Sequence, residues 1–229
     1  ILHTGQAVGT KTSTGANPTD AQINSAITDM NNAYTHTNTY ASKTVYTAAV
    51  DVEFVLAKTA PDGSTITGIK RYDVTGETWG ASFASGGVDA ANTGTGVPQA
   101  TMTAGKAYPP MDYMNIWIVH EINNATSTRG FATLPPASYD YDGVVMLYQA
   151  TGYDPDGNLG YNIDVTSRQN ESLIHEVGHY LSLYHTFQGD NDRTTCPTDA
   201  DCGTNGDCCA DTDPHQRTYS NVCWTGTNN

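Results

Sequence analysis

The segment His175-Glu176-Val177-Gly178-His179-Tyr180-Leu181-Ser182-Leu183-Tyr184-His185 constrains this chain more than any other. Residues four apart on an α-helix stand one above the other on one face, so His175 and His179 can offer two imidazole nitrogens to a single metal ion. Glu176 neighbours that face, within reach of a metal-bound water but not placed as a ligand. His185 lies too far along for the same face. The helix must therefore end near Ser182, and the chain must turn back to bring the third ring in. Three imidazoles with an open fourth position describe a catalytic zinc rather than a structural one. A lone histidine is ordinarily a surface or satisfied core residue. With 7 His in the chain, though, the complete pattern should arise by chance in roughly one of ten thousand such sequences. Leu173, Ile174, Val177, Leu181 and Leu183 give the helix an apolar side for docking on a core. Asn170 or Ser172 is placed to cap its start.

A length of 229 residues suits one large domain or two small lobes around a cleft. The net charge is −14, and the 10 Lys and Arg form no cluster. Nucleic acid and anionic membranes are therefore not the expected partners. No apolar run reaches the roughly 18 residues that cross a bilayer. Only 15% of residues are charged, while Thr, Asn, Ser and Gly abound, which is the composition of a secreted protein. The chain opens Ile1-Leu2-His3 without a Met, as expected where a signal and a propeptide have been removed. All five cysteines, Cys196, Cys202, Cys208, Cys209 and Cys223, fall near the end of the chain. Their spacings do not make paired Cys-x-x-Cys zinc ligands, so disulfides stapling a loop-rich segment are expected, with one cysteine left without a partner in the chain. The sequons Asn124-Ala125-Thr126 and Asn170-Glu171-Ser172 permit glycosylation in a eukaryotic host.

Along the chain, Thr19 to about Thr37 reads as a helix, with Thr19 and Gln22 as a capping box and Ile23, Ile27, Met30 and Tyr34 as its stripe. Val50, Val52, Phe54 and Leu56 alternate with Asp51, Glu53 and Val55, which predicts a strand. Thr65 to Val74 predicts another, and residues 75–106 a long loop region. Met114 to His120 is nearly all apolar, as in a strand buried on both faces, and Gly143 to Tyr148 is a further strand. The order predicts an α/β sandwich with a twisted sheet, residues 1–185, followed by an irregular Cys-rich subdomain, residues 186–229.

The third ligand separates zinc enzymes that share His-Glu-x-x-His. Glu176 is the last Glu in the chain, so a downstream Glu is excluded by inventory. An Asp is not excluded in that way, since many follow. The spacing to His185 makes it unnecessary. The pattern from His175 to His185 resembles the long zinc signature of the metzincins. Its continuation Leu183-Tyr184-His185-Thr186-Phe187-Gln188-Gly189 narrows the resemblance to the pappalysin family. Val52 to Ala57 with Pro61-Asp62-Gly63, Asn115-Ile116-Trp117, Gly130 to Pro135, Asp142 to Val145 and Gly206 to Thr212 are weaker matches. Together they carry the resemblance from about residue 19 to about residue 223.

The resemblance implies a metzincin-like catalytic domain with a twisted mixed sheet, a long N-terminal helix and a zinc-binding active-site helix. An irregular, disulfide-stapled C-terminal subdomain would follow. It implies a secreted zinc endopeptidase that hydrolyses peptide bonds of a peptide or protein substrate through a zinc-activated water. His175, His179 and His185 would be the zinc ligands and Glu176 the general base. The substrate would lie beside an edge strand near Gly130 to Pro135. It further implies calcium at Asp207, Asp211 and the Thr212 carbonyl, a solvated acidic turn being the alternative. Two departures stand out. Ser182 occupies a turn position where the family has Gly, at a cost of about 1 kcal/mol for a left-handed conformation. The family also has a Met-turn beyond the third His, whereas the last Met here is Met146. With the odd cysteine, that implies a C-terminally truncated form, and it leaves a zinc-bound but catalytically inactive binding protein as the alternative function.

Overall fold

Thr19 opens the first long helix of the computed structural model, which describes residues 1–41, 49–135, 141–191, 195–198, 201, 203–209, 212 and 215–217. The Thr19 hydroxyl accepts from the Gln22 backbone N–H at 3.1 Å, and α1 runs Asp20–Tyr34. Only this half of the expected capping box carries over. The Gln22 side chain instead donates to the Tyr148 and Thr151 carbonyls at 3.3 and 2.8 Å. A buried amide is worth more where it satisfies two buried acceptors than where it competes with water at a helix end. Ile23, Ala26 and Met30 are the buried stripe of α1.

The strands are short and fall into small sheets. β1 (Leu2–His3) pairs in parallel with a later strand, Tyr72–Asp73, while β2 (Thr10–Thr12) and β3 (Gly15–Asn17) form a hairpin. Tyr72–Asp73 is β4, the only part of the expected Thr65–Val74 strand to join a sheet. The expected loop region holds α2 (Gly80–Gly86), β5 (Val88–Asp89), β6 (Val97–Pro98) and α3 (Gln99–Thr103), with β5 and β6 parallel.

The largest sheet carries the site. β7 (Ile116–Val119), β8 (Gly130–Ala132) and β9 (Val144–Leu147) are ordered β7-β9-β8. Central β9 is parallel to β7, with Trp117 opposite Val145, and antiparallel to β8, with Phe131 opposite Val145. All four residues of β9 are buried, and the burial on both faces expected of Met114–His120 is met in β7 at Trp117, Ile118 and Val119, with Ile116 half-buried. The sheet is mixed, as expected.

The predicted strand at 50–56 is corrected. Its alternation holds from residue 51 on, with Val52, Phe54 and Leu56 half-buried and Asp51, Glu53 and Val55 exposed, whereas Val50, expected on the inward side, is 48% exposed. Its backbone, however, joins no strand among the described residues. The Phe54 N–H donates to Asn31 Oδ1 at 2.7 Å and the Phe54 carbonyl accepts from Asn31 Nδ2 at 2.8 Å. One α1 side chain thus does for Phe54 what a neighbouring strand would do.

The chain divides into two compact units, Ile1–Tyr180 and Leu181–Asn229. The first has the core, with Met30, Val74, Phe83, Val119, Met146, Leu147, Leu173 and Val177 in one buried cluster. Among the described residues the second unit is turns and bends without helix or strand.

Candidate metal centre

The helix carrying the His-Glu-x-x-His segment is α4, Glu171–Tyr180. Leu173 and Val177 are its fully buried side. Leu181 and Leu183, expected on the same side, lie beyond its end at 42% and 53% exposure. The helix stops before the apolar spacing does. The turn predicted at Ser182 is present, with that residue at φ +76°.

Asn170 does not cap α4 with its side chain. It sits at φ +57°, fully buried, and its amide donates to the Ala26 carbonyl of α1 at 2.9 Å and accepts from the Gly152 N–H at 3.1 Å. The residue read as a cap is therefore a tether, fixing the start of α4 to α1 and to the segment after β9. Asparagine tolerates the left-handed conformation better than most residues because its short amide bonds locally.

On α4 the Nε2 atoms of His175 and His179 are 3.0 Å apart, with ring centroids at 4.6 Å and planes at 87°. Two nitrogens bound to one zinc at 2.0–2.1 Å with a tetrahedral angle stand about 3.3 Å apart. The pair thus presents its nitrogens as one metal ion requires. Burial, and then the neighbouring His179, lower the His175 pKa, which favours the neutral imidazole that binds metal. The Glu176 carboxyl is raised by burial, against smaller opposing pulls from His179 and a hydrogen bond of the Ala132 backbone.

Gly130 on β8 supplies the room for Glu176. A Cβ there would stand 2.7 Å from Met146 Sδ, 3.0 Å from Glu176 Cγ and 3.0 Å from the Val145 carbonyl oxygen. A glycine inside a strand marks such a close approach, and this was the sequence signal that could have found it.

In the second unit, His185 stacks on Phe187, with centroids 4.6 Å apart and planes at 11°. The Arg217 guanidinium lies over the Phe187 ring at 5.2 Å. Arg217 is in turn bound to Asp190, which is 1% exposed. No spacing rule connects residues 190 and 217, and sequence reasoning assigned neither a role. Among the described residues, His175, His179 and His185 form a group that could hold a metal ion, each offering one ring nitrogen.

The calcium candidates divide. Asp207 is buried, and its Oδ1 accepts from the Cys209 N–H at 2.9 Å. The Thr212 N–H donates to the Cys209 carbonyl at 3.1 Å. Asp211, Cys202 and Cys223 lie outside the described residues. No helix among the described residues is long and apolar enough to cross a membrane.

Residues 99–229 match the family model described as pregnancy-associated plasma protein-A, peptidase family M43. An extracellular metalloprotease of Sordaria macrospora is 38% identical over 117 residues, which cover 49% of this chain and 34% of that protein. Another, from Colletotrichum graminicola, is 31% identical over 156 residues, covering 62% of this chain and 48% of its own length. The chain thus spans between a third and a half of these curated relatives. Mature mirolysin of Tannerella forsythia, solved in complex with a cleaved peptide, superposes with a TM-score of 0.63 at 25% identity, over 93% of this chain and 69% of that one. A promirolysin mutant from the same organism gives 0.61 at 23% identity, over 93% of this chain and 61% of that one, and shares the fold. The metzincin-like architecture read from the sequence is thereby found in the molecule, and with more than half of its length matched by the family's model, the chain belongs to the pappalysin family of metallopeptidases.

Proposed function

We propose that this chain is the catalytic part of an extracellular zinc endopeptidase, with zinc held by His175, His179 and His185 and with Glu176 as general base. The observation that carries the reading is the α4 pair: two imidazole nitrogens 3.0 Å apart with a desolvated carboxylate one residue along. Bound there, zinc supplies Lewis acidity, lowering the pKa of a water and polarising a carbonyl.

Glu176 takes one proton from the attacking water as the new C–O bond forms. It then delivers that proton to the amide nitrogen as the C–N bond breaks, so protons balance over one turnover. A carboxyl whose pKa is raised by burial is better matched to both halves of this transfer than a fully hydrated one. The Glu176 stem lies where a Cβ on Gly130 would come within 3.0 Å of its Cγ, so the bare glycine leaves it room.

The substrate is an extended peptide added along β8, which pairs with β9 on one side. The cleaved peptide in the mirolysin complex supports a peptide substrate, and the promirolysin form supports a propeptide for this chain as well. The extracellular relatives support secretion. Disulfide stapling of the second unit belongs to the same reading, supported by Cys196 and Cys208 as disulfide-bonded residues. So does calcium at Asp207, Asp211 and Thr212, which rests on the family resemblance alone.

The test is Glu176→Gln. Zinc content should stay at one per chain, while hydrolysis of a denatured protein, followed by mass-spectrometric mapping of cuts, falls at least about a hundredfold. Near wild-type turnover in this variant would remove Glu176 from the chemistry. Loss of cutting without sensitivity to a chelator in the parent protein would remove the metal.

A further inference from the structure

His185 is the only member of the triad that no helix holds. It sits in a turn closed by the Gln188 N–H donating to the His185 carbonyl at 2.9 Å, so its ring is placed by local side-chain packing and not by a helix face. Histidine ligands are usually oriented by partners beyond the metal. Here a column of side chains stands beside the ring. Phe187 covers one face of His185 at 4.6 Å, nearly parallel. Arg217 lies over Phe187 at 5.2 Å, and His215 meets the Phe187 ring at 6.4 Å with planes at 75°.

The far end of the column is fixed by Asp190. Arg217 Nε donates to Asp190 Oδ2 at 2.8 Å and to Oδ1 at 3.1 Å, and Arg217 Nη2 donates to Oδ1 at 2.6 Å. The Arg217 backbone N–H adds a fourth bond to Oδ2 at 3.1 Å. A forked guanidinium–carboxylate pair permits one relative orientation, where a lysine would permit many. The Asp190 side chain is 1% exposed, so water competes little for these bonds. The Asp190 N–H also donates to the Phe187 carbonyl at 3.1 Å, which locks the anchor to the backbone of the stacked residue.

We propose that the Asp190–Arg217 ion pair, acting through the face of Phe187, is the positioning device that holds the His185 imidazole for the metal. The inference rests on the reading of His185 as a zinc ligand. Asp190, Arg217 and Phe187 are positioning residues and touch neither metal nor substrate in this scheme.

The experiment uses the cobalt(II)-substituted protein, whose visible d–d bands report ligand geometry, and zinc affinity measured by chelator competition. Phe187→Leu keeps apolar bulk without a flat face, and Arg217→Lys keeps the charge without the fork. Each should weaken zinc binding about 10- to 100-fold and shift the cobalt bands, while the Tm of the metal-free protein changes little. His185→Ala is the control and should alter both readouts strongly. Wild-type cobalt spectra in Phe187→Leu and Arg217→Lys, with His185→Ala altered, would overturn the column. A fall in affinity with an unchanged spectrum would mark a merely structural role and overturn it too. If His185→Ala itself left the spectrum unchanged, His185 would not be a ligand, and the reading beneath the inference would be what failed.

Discussion

At Gly130 a missing side chain sets the reach of Glu176. The glycine is not at positive φ, so an alanine would meet a steric objection and not a conformational one. The Met146 sulfur can move aside, but the Val145 carbonyl belongs to the β8–β9 ladder and cannot, which leaves the Glu176 stem to yield. On the proposed function, we expect Gly130→Ala to keep zinc binding and to lower kcat by less than the roughly 100-fold of a 1 Å misplacement, since the Glu176 stem need give by only a few tenths of an ångström. Single-turnover kinetics beside metal analysis would check this, and an unchanged kcat would show that Glu176 has slack. Asn170 carries a stability prediction. Asn170→Ala removes two buried hydrogen bonds and keeps an unfavourable φ, which together cost about 3 kcal/mol. Asn170→Gly should recover about 1 kcal/mol of that, as read from urea unfolding of both variants. If alanine and glycine prove equally destabilising, backbone strain at this residue is negligible. Both residues show the limit of reading chemistry from sequence. The histidine spacing is legible because a helix repeats locally. The use of Asn170 depends on Ala26 and Gly152, far away in the chain, which turn an apparent cap into a tether.

Between elements, the same contrast separates strands that could be read from those that could not. β7 and β9 announce themselves because both of their faces are buried, and burial on both faces is written as an unbroken apolar run. The 50–56 segment has the alternation of a strand, and its burial obeys it from Asp51 on, yet pairing is a property of two strands and the pattern reports only one. Asn31 fills the partner's place. Asn31→Ala should therefore release this segment without unfolding α1. We expect a loss of about 1–2 kcal/mol for the two hydrogen bonds, with hydrogen exchange at the Phe54 amide speeding up while amides within α1 keep their protection. Uniform deprotection of α1 and the 50–56 segment would mean that they open as one body. The small elements between 75 and 106 were illegible for a related reason. α2 and α3 span seven and five residues, too short to repeat a periodic pattern. Glycines at 80, 86 and 87 stand there because backbone packs directly on backbone, as where a Cβ on Gly80 would meet the Val74 carbonyl.

Across the whole molecule, acid acts through two opposing effects. The net charge of −14 shrinks towards the isoelectric point near 4.5, which relieves self-repulsion and favours the folded state. His120 works the other way. It follows β7, is 3% exposed and meets Phe83 edge-on at 4.9 Å. Burial pulls its pKa down to about 4, the Ala84 backbone opposing weakly. Below the unfolded value of about 6.5 the unfolded chain binds a proton that the folded chain refuses, so stability rises with pH throughout this window. The stabilisation is complete above about pH 6.5 and is lost progressively down to about pH 4, a total of about 3 kcal/mol. Asp73, Asp89 and Asp164 have lowered pKa values. Their stabilisation is lost below the ordinary carboxylate range, beneath most of this window, and does not mask the effect. His120→Leu should therefore be less stable than the parent at pH 7, where the ring contact with Phe83 is missed, and should regain about 3 kcal/mol on the parent by pH 4. Chelator-treated protein is needed, because zinc release by protonation of its ligands would add a slope of its own. Urea titrations at half-unit pH intervals give the difference directly. Parallel curves for the two proteins would place the acid sensitivity elsewhere, with His3 and His175, whose pKa values are also lowered, as the next groups to replace.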